Sequence, residues 1–565
     1  MSQVSIKSAF NEVGLKNSVS QSIEHVKKLY LSDSIPWVIG YSGGKDSTAT
    51  LQLVWYALQE LAKEDKAKKK IHVISTDTLV ENPVVSSWVN KSLEKMKAAA
   101  EEQKLPIIPH KLVPEVKNRF WYNLIGKGYP APRAKFRWCT DRLKISPSNS
   151  FIQNLAEKNG EAILVLGTRK AESSARAASM DRFENSETNT RKALGLTENG
   201  SLDRVWVYAP IAHWTNDDVW IYLNSIKNPW DFPNHDLMGM YQGATEGGEC
   251  PLVVDKSTQS CGDSRFGCYV CTMVSEDKSM NAMIANDDEK EWMMPLVMLR
   301  NEIEVNDANH DKKLDKLRRD KGNRDFRRMN GTLTVHVTKH GADLVPGPYV
   351  QSFREHMLRK VLEAQVAVQQ MAPPEVSELE LIAIEELEGI RQVWLNDKHE
   401  AEDSLPLIYE QVIGKAYPGK RRAHHPIMNK SVLDKLKAHC AEQGDEDGLL
   451  YQQMRAVLNV SNKYRNQLRR AKLKDELNDV LDKGAFDSLF DAKKFALERE
   501  RHRRQIELEH IQIKITNSQA ESAKDDAVKE LRQQQESLEE SIAIITKSLK
   551  EDGYSSLLIE SVENI

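Results

Sequence analysis

The chain of 565 residues is predicted to be an α/β protein, with a doubly wound parallel sheet followed by a mostly helical C-terminal half. Two patterns indicate the sheet. Short apolar runs typical of buried strands alternate with helical patterns, and a glycine-rich hexapeptide joins the first strand to the first helix. Beyond about residue 290, glycine and β-branched runs become sparse, which indicates the helical half. A chain of this length is expected to form two to four domains.

The predicted strands and helices of the first half alternate as a doubly wound sheet requires. The expected strands are 37–39, 71–76, 107–113 and 162–166, and the expected helices are 48–58 and 83–100. Ligands of such sheets bind at the carboxyl ends of the strands. Ser42, Asp77 and Gly167 fall at these ends, so we expect a binding site there.

The second half is predicted to contain helices at 349–371, 375–395 and 431–440. Near the C-terminus, a heptad pattern with Gln535 at its one polar position is formed by Val528, Leu531, Leu538, Ile542, Ile545 and Leu549. A pattern this short is more typical of a hairpin, or of packing on a neighbouring domain, than of a free coiled coil. We therefore predict three domains: 1–290 with the sheet and a cysteine-rich loop, 291–490 with helices and basic patches, and 491–565 with heptad-containing helices.

The net charge gives no sign of a global affinity for polyanions, but two local runs are basic. The chain has 79 Lys and Arg against 83 Asp and Glu, a formal net charge of −4. Residues 311–330 hold nine Lys/Arg against four Asp, and residues 463–474 hold six Lys/Arg and no acid. Such runs are either solvated faces or contacts with a phosphate backbone, and the sequence favours neither.

The apolar segments and the cysteines predict the compartment. No N-terminal segment joins a basic stretch to an apolar one, and no apolar run approaches the length of a bilayer span. A cytoplasmic protein without a membrane partner is therefore expected. In that reducing compartment, the six cysteines are expected to be ligands or reactive thiols rather than disulfides.

The hexapeptide Ser42-Gly43-Gly44-Lys45-Asp46-Ser47 has the composition of a phosphate-binding loop. Its glycines let the backbone curl around an anion, the following helix offers N–H groups, and the lysine adds a cation. It is not a Walker loop, because an aspartate follows the lysine and no glycine lies five positions before the second glycine. The alternative interpretation is a glycine-rich turn with an Asp or Ser helix cap.

Two later segments add cations that suit a nucleotide. One combines Cys139 and Lys144 with Pro147, which begins a helix, and the other places Arg169 and Arg176 directly after a strand. Guanidinium groups pair with phosphate oxygens in a bidentate fork. The alternative for these cations is a set of surface salt bridges.

A third segment, Pro210-Ile211-Ala212-His213-Trp214-Thr215, precedes a predicted helix. Thr215 is expected to cap this helix, with Asp218 reaching back to it three residues later.

The strand, SGGKDS and helix arrangement resembles the PP-loop of ATP pyrophosphatases. The three later segments look like the Cys-x(4)-Lys-x(2)-Pro, Gly-x-Arg-x-x-Glu-Ser-x-x-Arg and Pro-Ile-x-x-Trp patterns of sulfonucleotide (PAPS/APS) reductases. Their order and spacing match that branch of the superfamily across roughly residues 35–230. This resemblance implies an adenine nucleotide alpha hydrolase-like fold whose loop holds the β- and γ-phosphates of ATP while pyrophosphate leaves.

Four cysteines have a spacing typical of a metal site: Cys250, Cys261, Cys268 and Cys271. Thiolates bind either Zn²⁺ or the irons of a cubane cluster, and the spacing does not distinguish them. Cys440 lies in a helical stretch and is expected to be structural.

The PP-loop domain, this cysteine spacing and the helical extension together resemble the DndC family, the sulfur-transfer components of bacterial DNA phosphorothioation. The resemblance extends through about residue 370. It implies a [4Fe–4S] cluster on the four cysteines, ATP pyrophosphatase activity, and DNA as a partner. It also implies sulfur from a cysteine desulfurase of the DndA/IscS type and joint action with DndD and DndE.

The expected chemistry is adenylation of a DNA phosphate, after which sulfur displaces AMP. Catalytic roles are expected for Lys45, Asp46, Ser47, Lys144 and Arg169, and a possible Mg²⁺ ligand is Asp46. The residues expected to bind ATP are Ser42, Gly43, Gly44, Lys45, Asp46, Ser47, Asp77, Gly167, Arg169 and Arg176.

The sulfur is expected either on the cluster or as a persulfide on Cys139. The thiol pKa of Cys139 is expected to be lowered by the basic residues around it, Arg133, Lys135, Arg137 and Arg142. The alternative for Cys139 is an inert side chain packed near Trp138.

Three other functions fit the same residues. A PAPS/APS reductase would reduce a sulfonucleotide without DNA, and a tRNA-thiolating enzyme would adenylate a base carbonyl. A regulatory or scaffold subunit would bind ATP without turnover. Pyrophosphate release separates the enzymes from the scaffold, and sulfite formation identifies the reductase.

Overall fold

The computed structural model describes residues 8–551, except for 134–135, 173–176, 179, 181–193, 246–265, 275, 304–320, 375, 420–429, 466, 485 and 521–524. The described residues form two compact units. The first unit draws on the ranges 1–122, 131–304 and 360–386, and the second on 123–130, 305–359 and 387–565. The predicted domain boundaries at 290 and 490 stay predictions.

The first unit contains a six-stranded, mostly parallel sheet. Its strands are β1 (Trp37–Gly40), β2 (Ile71–Thr76), β3 (Ile107–Leu112), β4 (Ala162–Val165), β5 (Thr197–Glu198) and β6 (Val205–Tyr208), in the spatial order β3-β2-β1-β4-β6-β5. In the centre, Trp37 of β1 is in parallel register with Ile71 of β2 and Ile163 of β4. Only β5 pairs antiparallel, with β6. The predicted parallel sheet is therefore confirmed.

Most helices before residue 304 flank this sheet or connect its strands. They are α1 (Gly14–Leu31), α2 (Lys45–Lys63), α3 (Pro83–Glu102), α4 (Ser146–Asn159), α5 (Asn216–Ser225), α6 (Asn234–Gly243), α7 (Lys278–Asn286) and α8 (Met294–Ile303).

Helices dominate the described chain beyond residue 320, and one small sheet accompanies them. The antiparallel pair β7 (Val335–Thr338) and β8 (Gly341–Leu344) precedes the helices. These are α9 (Gln351–Met371), α10 (Ile384–Gln392), α11 (Ser404–Ile413), α12 (Lys430–Glu442), α13 (Leu449–Lys463), α14 (Leu473–Lys483), α15 (Leu489–Ala520) and α16 (Asp525–Glu551). The prediction of a mostly helical second half is confirmed, and β7–β8 is an addition to it.

Both faces of the large sheet are buried, because alternate side chains of a strand point to opposite faces. On one face, Ile39 packs in a cluster with Leu51 of α2 and Met96 of α3. On the other face, Val38 packs with Ile152 of α4. Parallel sheets are typically covered in this way on both sides. With both faces covered by described helices, the carboxyl ends of the strands are the expected place for a ligand.

The predicted helix at 375–395 begins later than the sequence pattern indicates. Backbone N–H groups of Leu381 and Ile382 donate to Gln365 Oε1, at 2.8 and 3.3 Å. N–H groups inside a helix donate to carbonyl oxygens of the same helix, whereas these two donate to a side chain. The helix α10 therefore starts only at Ile384. A side chain distant in sequence thus overrides the local helical pattern.

The predicted cap of α5 is confirmed. Thr215 Oγ1 accepts a hydrogen bond from Asp218 N at 3.1 Å, and Asp218 Oδ2 accepts one from Thr215 N at 2.8 Å. This reciprocal pair satisfies two N–H groups at the helix start. The pair therefore fixes the position of Thr215, the last residue of the 210–215 segment, at the start of α5.

The heptad residues of α16 lie on its less exposed side and pack within the second unit. Ile545 and Leu549 form a cluster with Leu497 of α15 and with Ala342 of β8. This arrangement agrees with the expectation that the pattern packs on a neighbouring element. Among the helices of the described residues, none is long and apolar enough to cross a membrane.

We expect the stability of the first unit to depend on the protonation of one buried carboxyl group. Burial raises the pKa of Glu386 from its ordinary value of 4.5 to about 7, while Tyr122 N donates to its Oε1 at 2.9 Å. Since the folded state favours the protonated form, this stabilisation is present below about pH 4.5 and is lost as the pH rises through 7. Glu386→Gln should therefore flatten the decline of the unfolding free energy from pH 5 to pH 8 by about 2 kcal/mol.

Urea unfolding at the two pH values measures this effect. Glu378→Gln is the matched control, because Glu378 is exposed and does not contribute to the shifted pKa of Glu386. An identical pH dependence in Glu386→Gln and the native protein would contradict the assignment.

Candidate functional site

The predicted phosphate loop lies between the end of β1 and the start of α2. Gly43 has a φ of +73°, a left-handed conformation that other residues rarely adopt. A Cβ atom at this position would lie 2.5 Å from Val89 Cγ2. The Trp88 indole N–H donates to Gly43 O at 3.2 Å, and Gly44 caps α2 in an extended conformation. Conformation and space therefore both require glycine at position 43.

Two serine hydroxyls close this loop on itself. Ser42 N donates to Ser47 Oγ at 3.2 Å, and Ser47 Oγ donates to Gly44 O at 3.0 Å. Gly44 N is 3.4 Å from Ser42 Oγ. These bonds hold the loop over the N-terminus of α2, the end of a helix that favours anions.

Asp46 joins the loop to two other motifs. Arg169 Nε donates to Asp46 Oδ1 at 2.7 Å, and Arg169 also donates to the backbone oxygen of Trp214 at 3.5 Å. Lys45 Nζ lies 3.7 Å from Asp46 Oδ2. Arg169 is only 4% exposed. The structure thus brings the loop after β1, the segment after β4 and the segment after β6 into one site.

Gly167 allows this close approach. A Cβ atom on Gly167 would lie 2.7 Å from Asp46 O and 3.0 Å from Ser47 N, both of which are backbone atoms. Because backbone atoms cannot rotate away as a flexible side chain can, any larger residue would displace the start of α2. The glycine that the sequence placed at the end of β4 is therefore part of the site.

Asp46 is a poor direct ligand for Mg²⁺ in the arrangement observed. One of its oxygens accepts from Arg169, and the other faces Lys45. Carboxylates commonly hold Mg²⁺ beside polyphosphates, often through water. Mg²⁺ at Asp46 would have to bind through water or displace one of the two cations.

Tyr241 and Trp88 are site residues that the sequence analysis missed. The Tyr241 hydroxyl hydrogen-bonds to the backbone N–H of Lys45, and burial raises its pKa to about 12. Lys45 Nζ lies 5.3 Å from the centre of the Tyr241 ring, within the range of a cation–π contact. Neither aromatic residue belongs to the motifs considered, and their places on α6 and α3 carry no local signal of function.

Asp77 follows β2, as predicted, but its carboxyl group is engaged with neighbours. Its Oδ1 accepts from Leu79 N at 2.8 Å, and its Oδ2 pairs with Lys111 Nζ at 2.8 Å. Asp77 shapes the turn after β2 in this state. Its predicted contact with ATP stays a prediction.

Two of the four predicted cluster ligands form a turn beside the β2–α3 connection. Cys271 N donates to Cys268 O at 2.9 Å, and Tyr269 N donates to Val80 O at 3.0 Å. Cys268 Sγ lies 3.7 Å from Thr78 Oγ1. Cys250 and Cys261 lie outside the described residues, as does Arg176. Within the described ranges, no group of three His, Cys, Asp or Glu side chains could hold a metal ion.

The thiol of Cys139 has a higher pKa than the sequence analysis expected. Burial raises the pKa of Cys139, and the nearby charge of Cys271 raises it further. The expectation of a lowered pKa is therefore wrong, because loss of solvent is the largest influence on this thiol. The structure instead brings Cys139 within electrostatic reach of Cys271, although 132 residues separate the two in the sequence.

Lys144 is the cation that faces these thiols. Its Nζ lies 3.4 Å from Glu81 Oε1. Loss of solvent alone would lower the pKa of Lys144, but the Cys268 thiol when ionised, the Glu81 carboxylate and the Cys139 thiol when ionised raise it overall. Burial raises the pKa of Cys268 to about 11, and Lys144 opposes that rise. Lys144, for which a catalytic role was predicted, thus lies beside the cysteine turn.

The comparisons with known proteins agree with the coarser part of the predicted resemblance. Residues 36–231 match the family model of the phosphoadenosine phosphosulfate reductase domain. An uncharacterized protein of Methanocaldococcus jannaschii is 28% identical over 221 residues, which are 39% of this chain and 38% of the relative. The chain therefore spans well under half the length of this relative.

Two solved structures of FMN adenylyltransferase from Candida glabrata are also similar. The complex with FMN and the ATP analog AMPCPP has a TM-score of 0.24 and 12% identity, covering 42% of this chain and 65% of that chain. The complex with FAD and inorganic pyrophosphate has a TM-score of 0.22 and 10% identity, covering 39% and 62%. It is the family match over residues 36–231 that confirms the similarity to phosphoadenosine phosphosulfate reductase domains predicted for roughly residues 35–230.

Proposed function

We propose that this protein is the ATP-dependent sulfurtransferase of DNA phosphorothioate modification. The observation that carries this proposal is the Ser42–Ser47 loop, shaped for phosphates and joined through Asp46 to the buried Arg169. Such a loop at the end of a parallel strand suits a nucleoside triphosphate. Sequence similarity to a reductase domain that acts on sulfonucleotides supports sulfur chemistry on a phosphorylated substrate.

The first proposed step splits ATP between its α- and β-phosphorus atoms. A non-bridging oxygen of a DNA phosphate attacks the α-phosphorus, the bond to the β-phosphate oxygen breaks, and pyrophosphate leaves. The loop N–H groups, Lys45 and Ser47 stabilise the departing pyrophosphate. Arg169 and Lys144 neutralise charge at the α-phosphate and the DNA phosphate, and Arg176 binds ATP. Mg²⁺, held at Asp46 through water, would neutralise the polyphosphate.

The second proposed step replaces the activated oxygen with sulfur. The terminal sulfur of a persulfide attacks the adenylated DNA phosphorus, and AMP leaves with the former DNA oxygen. A second thiol then attacks the sulfur–sulfur bond, which leaves a disulfide on the carrier and one sulfur on the DNA phosphorus. In this proposal Cys139 is the carrier and Cys271 is the second thiol.

An iron–sulfur cluster belongs to the proposal as the alternative place for the sulfur. The described half of its ligand set is the Cys268–Cys271 turn, in which Cys271 N donates to Cys268 O at 2.9 Å. Two cysteines separated by two residues are a spacing that commonly ligates one metal centre. Cys250 and Cys261 would complete the set. When bound, the [4Fe–4S] cluster would supply iron that accepts sulfide-level sulfur.

The proposed partners follow from this chemistry. DNA is the acceptor, a cysteine desulfurase of the DndA/IscS type supplies the sulfur, and DndD and DndE act with this chain in the cytoplasm.

Replacing Cys268 by serine is expected to abolish phosphorothioate in cellular DNA. Serine retains the size but loses the soft ligand and the nucleophilic sulfur. Mass spectrometry of nuclease-digested DNA measures the modification. Anaerobic purification with iron and zinc analysis shows whether the variant also loses a metal.

Cys440→Ser is the matched control, because Cys440 is a buried cysteine of α12 outside the cysteine turn. Unchanged modification in Cys268→Ser would contradict an essential thiolate. Stoichiometric zinc without iron in the native protein would remove the cluster from the proposal.

A sulfonucleotide reductase is the second candidate, favoured by the match of residues 36–231. Its reaction would yield sulfite from PAPS with a thiol reductant and would not require ATP. Sulfite formation without DNA or ATP would replace the proposed function with this one.

A further inference from the structure

The two basic runs of the sequence differ in how the structure uses them. In the described part of the first run, Arg324 donates to the backbone oxygens of Gly347 and Pro346, both at 2.6 Å. Arg327 pairs with Asp325 at 2.9 Å, and Arg328 donates to Pro346 O at 3.1 Å. The guanidinium groups of these arginines are engaged in hydrogen bonds and ion pairs within the second unit, so they have a structural role.

The described residues of the second run, 463–465 and 467–474, connect the end of α13 to the start of α14. At the base of this turn, Glu476 accepts from Lys463 Nζ at 2.8 Å and from the Tyr464 hydroxyl at 2.7 Å. Beneath the turn, Val460 of α13 and Val480 of α14 pack in one apolar cluster. The turn is therefore anchored on both helices.

Arg470 stabilises the turn itself. Its guanidinium donates to Gln467 O at 3.3 Å and to Arg465 O at 3.1 Å. The backbone continues the same pattern, because Leu473 N donates to Arg470 O at 3.0 Å. Arg470 thus has a structural role within the turn, as Lys463 has at its base.

Four cations of this turn point into solvent without an acidic partner. In the part of the chain that the structure describes, Arg465, Arg469, Lys472 and Lys474 are exposed and form no ion pair. Lys472 and Lys474 also lie at the N-terminus of α14, where a cation is disfavoured by the helix dipole. Helix stability therefore does not explain their position.

Leu468 lies among these cations and is fully exposed, with a relative accessibility of 105%. A single exposed apolar residue needs no explanation by itself. In sequence it lies between Arg465 and Arg469, and proteins that bind the minor groove frequently combine Arg or Lys side chains with an inserted apolar side chain.

We propose that this basic turn, comprising Arg465, Leu468, Arg469, Lys472 and Lys474, binds duplex DNA. The cations contact phosphates on the two sides of the minor groove, and Leu468 enters the groove between them. Four exposed cations without an acidic partner among the described residues, on one short connection, suit a polyanion such as DNA. A lipid surface would favour a broader apolar face than one leucine. The inference deepens the proposed function, on which it rests for DNA as the acceptor.

The test is a fluorescence anisotropy titration of a labelled 25-base-pair duplex with the full-length chain at several salt concentrations. The variant Arg469→Ala/Lys472→Ala/Lys474→Ala removes three cations and leaves Arg470 in place. The slope of log K against log salt is negative, and each lost phosphate contact makes it less steep by about 0.9, so the loss of three makes it less steep by about 2.7. At 0.1 M salt, we expect the dissociation constant to rise at least about tenfold.

The matched control is Lys91→Ala/Lys95→Ala/Lys97→Ala, which removes the same charge from an exposed face of α3. An equal loss of affinity in the two variants would show a general charge effect and would overturn the proposal. Native affinity and slope in the turn variant would also overturn it. So would unchanged DNA binding together with lost binding to phosphatidylserine vesicles, since that result would identify a membrane contact.

Leu468→Ala tests the apolar contact separately. Side chains inserted into the minor groove bend DNA by tens of degrees. Energy transfer between dyes at the two ends of the duplex should therefore increase when the native chain binds, and should increase much less with Leu468→Ala. An equal increase in both would overturn the insertion of Leu468.

Pyrophosphate release from ATP at saturating DNA distinguishes this inference from the proposed function. We expect the turn variant to retain that release when the DNA concentration is raised enough to saturate it. A native chain that binds DNA through the turn but releases no pyrophosphate would overturn the proposed function alone. A native chain that releases pyrophosphate but binds DNA equally well without the turn would overturn this inference alone.

Discussion

Replacing Gly167 by alanine is expected to reduce pyrophosphate release from ATP about 100-fold. The added Cβ would lie 2.7 Å from Asp46 O and 3.0 Å from Ser47 N, so the first turn of α2 must move. Misplacing a positioning group by about 1 Å costs on the order of 100-fold in rate. The reaction is followed with a coupled assay for pyrophosphate at saturating ATP.

Gly239→Ala is the control for this substitution. Gly239 lies in α6, and a Cβ atom there would meet nothing within 4 Å. The Gly239→Ala variant should release pyrophosphate at the native rate. Equal rates in Gly167→Ala and the native protein would show that the contact between β4 and α2 does not position the reaction.

Arg169→Lys is expected to lower the same rate by about 100-fold although it retains the charge. Arg169 donates through its guanidinium to both Asp46 and Trp214 O, and an ammonium group cannot reproduce that fork. Loss of one preorganised charge-stabilising group typically costs 100- to 1,000-fold in turnover. Because this side chain is buried, circular dichroism and urea unfolding should accompany the kinetic assay.

A double-mutant cycle with Asp46→Asn separates the pair from other effects. Residues in direct contact typically show a coupling of about 0.5–3 kcal/mol, so the double variant should lose less activity than the two single variants combined. Arg503→Lys is a control, because Arg503 pairs with Glu500 on the exposed surface of α15. Fully additive losses, or a native rate in Arg169→Lys, would contradict the role of the pair.

The sheet and the phosphate loop were predictable because their signals are local. Apolar runs such as 71–76 and the change to helical periodicity give strand and helix directly. The strand at 205–208 is not among the expected strands, although Val205-Trp206-Val207-Tyr208 is β-branched and aromatic, a composition typical of strands. The late start of α10 was not readable, because it depends on Gln365 accepting from a distant backbone.

The sequence predicted those site residues that belong to recognisable motifs, and it did not predict the others. Lys45, Asp46 and Arg169 meet as expected, because loops at the carboxyl ends of neighbouring parallel strands converge. Tyr241 was not predictable, since its contact with Lys45 depends on how α6 packs. Burial is also the largest influence on the pKa of Cys139. The sequence shows which cations are adjacent to this thiol, but it does not show how far the thiol is buried.

The identity of the products of ATP cleavage tests the central claim most directly. The purified chain is incubated with ATP, Mg²⁺, DNA and a cysteine desulfurase with cysteine, and the products are separated by ion-exchange chromatography, with Lys45→Ala as the background. The account predicts AMP and pyrophosphate in equal amounts from the native chain and neither above background from the variant. ADP and orthophosphate as the products of the native chain would contradict it.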